Sequence, residues 1–237
     1  MTTLRDIFQD LSYGELQGTA LGNLIAEDNE SEPDPKSYAQ LTSHVNAALR
    51  KLYTRFMLSA KETYIEQDES IETYYLLDKY TQTNGTEATL YIADSVANPF
   101  DQTELLKIEQ CFDEEGNLLK LNDFSDDDSL FTPAYNAIQM VYPNEFNTVA
   151  VQYRATHPRI VYTVASDISI IEVGIPEALY EALMLYIAYR ALPRMDDGAA
   201  KNEMLQAYEM SCQQVEKAGL YPQAEPGDWR FDAKGWV

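Results

Sequence analysis

The segment IPEALYEALMLYIAYRAL, residues 175–192, constrains the fold more than any other part of the chain. Pro176 suits the first helical position, Glu177 suits the positive end of the helix dipole, and alanine, leucine and methionine dominate the rest of the segment. From Ala182 to Tyr189 no side chain carries a charge, so the predicted helix has no polar side over about two turns. We therefore expect protein to surround it, either from the same chain or from a neighbouring copy.

The same segment is too short to cross a membrane. Glu181 and Arg190 bracket its apolar run, whereas a bilayer requires roughly 20 apolar residues. The first residues, MTTLRDIFQDL, contain no apolar run after a basic start, so we expect no secretion signal and synthesis in the cytoplasm of the producing cell.

The chain is strongly acidic. Its 237 residues include 17 basic and 39 acidic side chains, which give a formal net charge of -22. Such a surface repels nucleic acids and anionic membranes, so a partner is expected to be basic or to bind through apolar contacts. The two cysteines, Cys111 and Cys212, lie far apart in a strand-like and a helix-like segment, which is typical of reduced core thiols.

Three further helices are predicted from apolar spacing and end signals. Thr3 and Asp6 form a predicted capping box, Asp34 and Pro35 begin a second helix, and a last helix starts near Gly198 and stops at Gly219. Their predicted buried stripes are Leu4, Ile7, Phe8 and Leu11; Tyr38, Leu41, Val45, Leu49, Leu52 and Phe56; and Leu205, Tyr208, Cys212 and Val215.

The middle of the chain has the period of two that is typical of strands. From Lys61 onward we predict strands in the runs TYIEQ, ETYYLL, EATLYIA, LLKIEQCF, AIQMVYP, TVAVQYRA and RIVYTV. Between Phe112 and Leu118 the sequence DEEGN predicts a hairpin turn, with Gly116 free to adopt a positive φ.

These elements predict an α+β fold. The N- and C-terminal helices are expected to form a helical bundle, because short helices are marginal alone, with an antiparallel β-rich domain inserted between them. The expected parts are residues 1–60 and 175–219 for the bundle, 61–174 for the β-rich insertion, and 220–237 for an extended aromatic tail.

No catalytic motif is visible in the sequence. It lacks a phosphate-binding Gly-Lys-Ser/Thr loop, a dinucleotide fingerprint, a nucleophile elbow and a histidine pair on one helix face. His44 and His157 could each act as a general base or a ligand, but we interpret both as solvated or core-flanking side chains. We therefore predict no catalytic residue, no cofactor and no enzymatic activity.

A run of carboxylates, NDFSDDDS, could hold a hard cation. It places Asp123, Asp126, Asp127 and Asp128 close together, yet it lacks the glycine and the final glutamate of a calcium loop. We interpret it as a solvated acidic loop and predict no metal site. A carboxylate pair for glycoside hydrolysis stays open, although no pair stands out among 39 acids.

The last residues, LYPQAEPGDWRFDAKGWV, contain both tryptophans of the chain. Large aromatic side chains rarely stay solvated, because each can bury about 150–250 Å². Either the tail folds back over its own helices, or its aromatic residues anchor another subunit or a partner. The candidate partner-binding residues are Tyr221, Trp229, Phe231 and Trp236.

Four blocks of the sequence resemble the head-to-tail adaptor (connector) proteins of tailed bacteriophages. They are LRDIFQDLSYGEL, LRKLYTRFML with a strand directly after it, SLFTPAYNAIQMVYP, and GIPEALYEALMLYIAYRAL with a helix after it. The blocks are patterns of apolar and aromatic residues, spread over most of the chain.

The resemblance implies a structural protein of the virion neck. It implies a homo-oligomeric ring, taken as dodecameric, with the portal protein on one side and a tail tube or nozzle protein on the other. DNA would pass through the lumen without sticking, since a chain of charge -22 presents like charge to phosphates. In such adaptors a C-terminal segment commonly reaches toward the portal, which makes Trp229, Phe231 and Trp236 docking candidates.

Three other functions stay open from the sequence. The chain could be another virion ring, such as a tail terminator or a head-completion protein. It could be a hydrolase that uses scattered carboxylates, or an acidic protein that mimics DNA to occupy a basic host factor.

Overall fold

The computed structural model describes residues 2–19, 35–144, 147–192 and 198–221. It contains helices together with antiparallel sheets, which confirms the α+β class. The chain divides into two compact units. The helical unit comprises the described residues within Met1–Phe56 and His157–Gln223, and the β unit comprises those within Met57–Thr156.

Four α-helices are described in the helical unit. They are α1 (Leu4–Tyr13), α2 (Pro35–Arg55), α3 (Tyr180–Ala191) and α4 (Gly198–Lys217). A 3-10 turn, Glu177–Leu179, precedes α3, so α-helical geometry begins later than the predicted start at Pro176.

Helix α3 is covered by its own chain. It contacts α1, α2 and α4, and no side chain from Ala182 to Tyr189 is exposed. Leu183 and Ile187 are fully buried, and each such burial stabilises the fold by about 1.5–3 kcal/mol. The same chain therefore supplies the cover that the apolar run requires.

The predicted ends and stripes of the other helices are largely confirmed. Thr3 Oγ1 accepts a hydrogen bond from the Asp6 N–H at 3.2 Å, and the Thr3 N–H donates to Asp6 Oδ2 at 2.8 Å, which completes the capping box. Helix α2 begins at Pro35, while its predicted cap Asp34 lies outside the described residues. The predicted stripes of α1 and α2 are buried, and that of α4 is buried except for the half-buried Leu205.

Two antiparallel sheets form the β unit. Its strands are β2 (Ala60–Glu66), β3 (Thr73–Tyr75), β4 (Ile92–Ala93), β5 (Leu105–Phe112), β6 (Leu118–Leu119), β7 (Phe131–Ala134), β8 (Ala137–Gln139) and β9 (Thr148–Ala155). The five-stranded sheet has the order β4-β2-β9-β5-β6, and the three-stranded sheet has the order β3-β8-β7. One apolar cluster joins both sheets, with Tyr74 and Ile138 from the smaller sheet and Val151 and Tyr153 from the larger.

The predicted hairpin connects β5 to β6. Gly116 has a φ of 82°, and the Asp113 carboxylate accepts hydrogen bonds from the backbone N–H groups of Glu115 and Asn117, at 2.9 and 2.8 Å. The register places Cys111 opposite Leu119, so the chain returns antiparallel as predicted.

The run RIVYTV is not a strand, so that prediction is wrong. The Asn46 side chain on α2 accepts a hydrogen bond from the Ile160 N–H at 2.9 Å and donates one to the Ile160 carbonyl at 2.8 Å. Ile160 is buried. A short strand, β10 (Glu172–Val173), pairs with β1 (Thr2–Thr3) at the start of α1. Residues 157–174, expected in the insertion, consequently belong to the helical unit.

The capping box gives the first prediction. Replacing Thr3→Ala removes the side-chain acceptor for the Asp6 N–H and is expected to lower the free energy of unfolding by about 1 kcal/mol. The exposed Thr86→Ala is the matched control and should change it by less than about 0.5 kcal/mol. Urea unfolding followed by circular dichroism measures both.

The same cap predicts an acid dependence. The Thr3 backbone N–H, followed by its hydroxyl, lowers the pKa of Asp6 below its usual 3.8. A carboxyl whose folded pKa is lowered stabilises the fold above its unfolded pKa and loses that contribution as pH falls through the folded value. The difference between wild type and Asp6→Asn should therefore be full at neutral pH and shrink below pH 3.8. A difference that grows on acidification would contradict this assignment.

Candidate functional site

Of the four predicted partner-binding residues, only Tyr221 is described. Its ring packs edge-on against Phe56, with ring centroids 6.2 Å apart, and the side chain is half-buried. Gly219, with a φ of 62°, ends the turn after α4 and directs the chain to this contact. Trp229, Phe231 and Trp236 lie outside the described residues. Tyr221 is thus a fixed starting point for the C-terminal segment.

An ion-pair cluster is centred on Arg55, the residue before Phe56. Arg55, the last residue of α2, bonds Glu216 through Nε and Glu209 through Nη1, each at 2.6 Å, and both carboxylates belong to α4. The hydrogen bond to Glu216 is the main cause that raises the pKa of Arg55. Its guanidinium also lies 5.9 Å from the centroid of Phe56. Arg55 and Phe56 together join the end of α2 to α4 and to Tyr221.

His157 has a structural role in the helical unit. Its Nδ1 lies 2.6 Å from the Pro158 carbonyl, which can only accept, so Nδ1 carries the proton. Nε2 accepts from the Gly174 N–H at 3.3 Å, and the Tyr53 hydroxyl donates to the Gly174 carbonyl at 2.7 Å. Both ring nitrogens are thus used by the backbone, which supports the structural interpretation over a general base.

His44 lies on α2 and is half-buried. Both of its ring nitrogens are shielded from solvent and have no hydrogen-bond partner among the described residues. Burial, with the positive charges of Arg190 and Lys201 in addition, lowers its pKa. His44 is therefore neutral at pH 7, with nitrogens that a dissolved substrate does not reach.

The acidic loop after β6 is held by its own residues. Lys120 Nζ lies 2.6 Å from Asp126 and 3.6 Å from Asp123, and Ser125 donates to Asp123 from both its N–H and its hydroxyl. These bonds lower the pKa values of both carboxyls. In the part of the chain that the structure describes, no group of three or more metal-ligating side chains is assembled.

The β unit contains a cavity of about 280 Å³, which we call the acidic groove. Its carboxylates come from two turns, namely Asp113, Glu114 and Glu115 of the β5–β6 hairpin and Asp127 and Asp128 of the acidic loop. Its apolar lining consists of Leu119, Leu130, Met140 and Val149, with Val141 and Tyr142 at the more exposed side. The structure thus brings two acidic turns to one apolar depression.

Sequence reasoning did not find the acidic groove as a site. The sequence predicts both acidic turns, one as a hairpin and the other as a solvated loop, but it does not predict that they meet at one cavity. The pairing of β5 with β6 and the bridge between Leu121 and Leu130 bring them together. The only sequence signal was two acidic turns on either side of the short apolar run NLLKL.

Both cysteines are free and buried, as predicted. Burial raises the pKa of Cys111 to about 12 and is also the main cause that raises the pKa of Cys212. They belong to different units, Cys111 to β5 and Cys212 to α4.

Comparison with known proteins finds no matching family model and no matching curated relative. The resemblance to phage adaptors therefore stays a prediction from the residue pattern. Among the described residues, no helix has the length and apolar character needed to span a membrane.

Arg55→Met should lower the free energy of unfolding by about 1–2 kcal/mol. We expect this value because the two ion pairs are half-buried, and such pairs contribute more than exposed ion pairs and less than buried charged hydrogen bonds. A double-mutant cycle with Glu216→Gln should give a coupling of about 1 kcal/mol. Lys51→Met, an exposed lysine on the same helix, should change stability by less than about 0.5 kcal/mol. Absence of coupling in the cycle would contradict a stabilising pair.

Burial of both thiols predicts slow labelling of the native protein. With a chromogenic disulfide reagent at pH 7.5, both thiols should react at least about a hundredfold more slowly in native than in denatured protein. Cys111→Ser and Cys212→Ser assign the two phases. A fast phase in the folded wild type would show that one thiol is accessible.

Proposed function

We propose that this chain is a structural head-to-tail adaptor of a tailed-phage virion. It would form a ring that docks on the portal protein and connects it to the tail tube or nozzle, while DNA passes through the lumen. The observation that carries the proposal is the chain order. Helices from both ends of the chain form one unit, an antiparallel β unit is inserted at Met57–Thr156, and the adaptor-like blocks span both.

We further propose that the four helices form a bundle with α3 at its centre. The contacts of α3 with α1, α2 and α4 support this arrangement. So do the buried stripes of its neighbours, because an amphipathic helix is stabilised by packing its apolar face on another helix.

The net charge of -22 supports passage of DNA rather than binding of DNA. Duplex DNA carries one negative charge per roughly 1.7 Å of its axis, and proteins that hold it neutralise those phosphates with lysine and arginine. A ring of acidic chains would keep phosphates from adhering to its wall.

The C-terminal segment is the proposed attachment to the portal. It follows Tyr221, whose ring packs against Phe56, and its sequence contains Trp229, Phe231 and Trp236. Aromatic residues of this kind dominate the binding energy of many interfaces. In this role the protein needs no catalytic residue, and we propose that it is not an enzyme.

Truncation after Pro222 tests the proposal. We expect the shortened protein to keep its circular dichroism spectrum and its melting temperature, while its incorporation into particles falls strongly. The triple variant Trp229→Ala, Phe231→Ala, Trp236→Ala should behave in the same way. Gln223→Ala with Asp232→Ala changes the same segment without removing an aromatic ring and should be incorporated normally.

Three results separate the alternatives. Loss of folding in both shortened and triple variants would show that the aromatic residues belong to the protein's own core. Normal incorporation of both would contradict portal attachment by this segment. A protein that is absent from particles, and loses a measured hydrolase activity when one carboxylate is replaced, would refute the adaptor function itself.

A further inference from the structure

We propose that the acidic groove of the β unit binds a basic segment of another protein, with an arginine side chain seated in the cavity. The proposal does not rest on the adaptor function, since it depends on the shape and chemistry of the groove alone. Four features of the groove support it: the size of the cavity, the sign of its charges, its apolar lining and the hydrogen bonds that hold its walls.

The size of the cavity selects side chains over whole ligands. Sites for cofactors and other small molecules usually enclose about 300–1,000 Å³. The volume of about 280 Å³ lies just below that range, and suits one or two side chains that project from a peptide. A peptide whose backbone stays at the surface can use such a cavity as an anchor point.

The charges of the groove select a cation. Five carboxylates line it, and no lysine, arginine or histidine is among its lining residues. A phosphate or carboxylate ligand would meet like charge, and no positively charged side chain among the described lining residues would compensate it. Asp127 and Asp128 are exposed and make no hydrogen bond or ion pair through their carboxylates with other described residues, so both can accept from a guanidinium.

The apolar floor selects arginine within a peptide over a small hydrated cation. Met140 and Val149 are buried and line the same cavity as the carboxylates, whereas Tyr142, which also lines it, is 76% exposed. An arginine places its methylene groups on apolar surface and its planar head on carboxylates. The exposed Tyr142 ring and Val141 provide a flat contact for the neighbouring side chains of the same segment.

Hydrogen bonds and an ion pair within the protein hold both walls of the groove. Asp113 accepts three hydrogen bonds within the hairpin, and the Thr148 N–H donates to Glu114 at 2.6 Å, which ties the hairpin to β9. On the other side, Lys120 holds Asp126, and the Ser129 hydroxyl accepts from the Asp123 N–H at 3.0 Å. A preformed groove loses little conformational entropy on binding, which favours affinity.

The test uses the full-length protein and a defined probe. The probe is a capped hexapeptide that alternates leucine and arginine, titrated by calorimetry at low salt while the methyl signal of Met140 is followed by NMR. We expect saturable binding, a shift of the Met140 signal, and affinity that falls as salt rises. The same peptide with glutamate in place of arginine should not bind.

Two double variants with equal changes in net charge give the decisive comparison. Asp127→Asn with Asp128→Asn should weaken binding at least tenfold, because it removes the free carboxylates of the groove. Glu172→Gln with Glu203→Gln removes two exposed carboxylates of the helical unit and should change affinity less than twofold. Melting temperatures within a few degrees of wild type show that each variant is folded.

Four outcomes would overturn the proposal. They are no binding of the arginine peptide, equal weakening by both double variants, binding that leaves the Met140 signal unchanged, and equal affinity for spermine, which would indicate a site for any polycation. None of these measurements involves particles or the C-terminal segment. A failure of the groove proposal is therefore distinguishable from a failure of the adaptor function.

Discussion

The apolar run of α3, from Ala182 to Tyr189, has no exposed side chain, and other helices of the same chain cover it. Leu183, Met184 and Ile187 are buried there. The neighbours come from the beginning of the chain, α1 and α2, and from its end, α4. Because the hydrophobic contribution scales with the area removed from water, the buried side chains of α3 and of the helices it contacts contribute strongly to the stability of the helical unit.

Local contacts fix the start of α1, the segment around Ile160 and the end of α2. The capping box of Thr3 and Asp6 starts α1, and Asn46 fixes the returning segment at Ile160 through both of its backbone groups. Arg55 joins the end of α2 to α4. Each is worth little beside the apolar core, but each sets a direction that burial alone leaves open.

The acidity of the chain acts differently at different places. In the acidic loop it is partly neutralised by Lys120, and there the carboxylates mainly organise the backbone. In the acidic groove the carboxylates of Asp127 and Asp128 have no partner among the described residues, and they line the same cavity as several apolar side chains. Over the whole chain the net charge of -22 repels nucleic acids and other polyanions.

The sequence by itself determined the helices, the hairpin and the two longest strands. Their signals are local: Thr3 with Asp6, Pro35, Gly116, Gly219, and the periods of LLKIEQCF and TVAVQYRA. The tertiary structure alone decided that RIVYTV is not a strand. Asn46, more than a hundred positions earlier, forms hydrogen bonds with both backbone groups of Ile160 within this run. The tertiary structure alone also assembled the acidic groove, because Glu115 and Asp127 line one cavity only when the β5–β6 pairing and the bridge between Leu121 and Leu130 have formed. Periodicity and caps report the environment of nearby residues, whereas both of these features depend on contacts that no local pattern encodes.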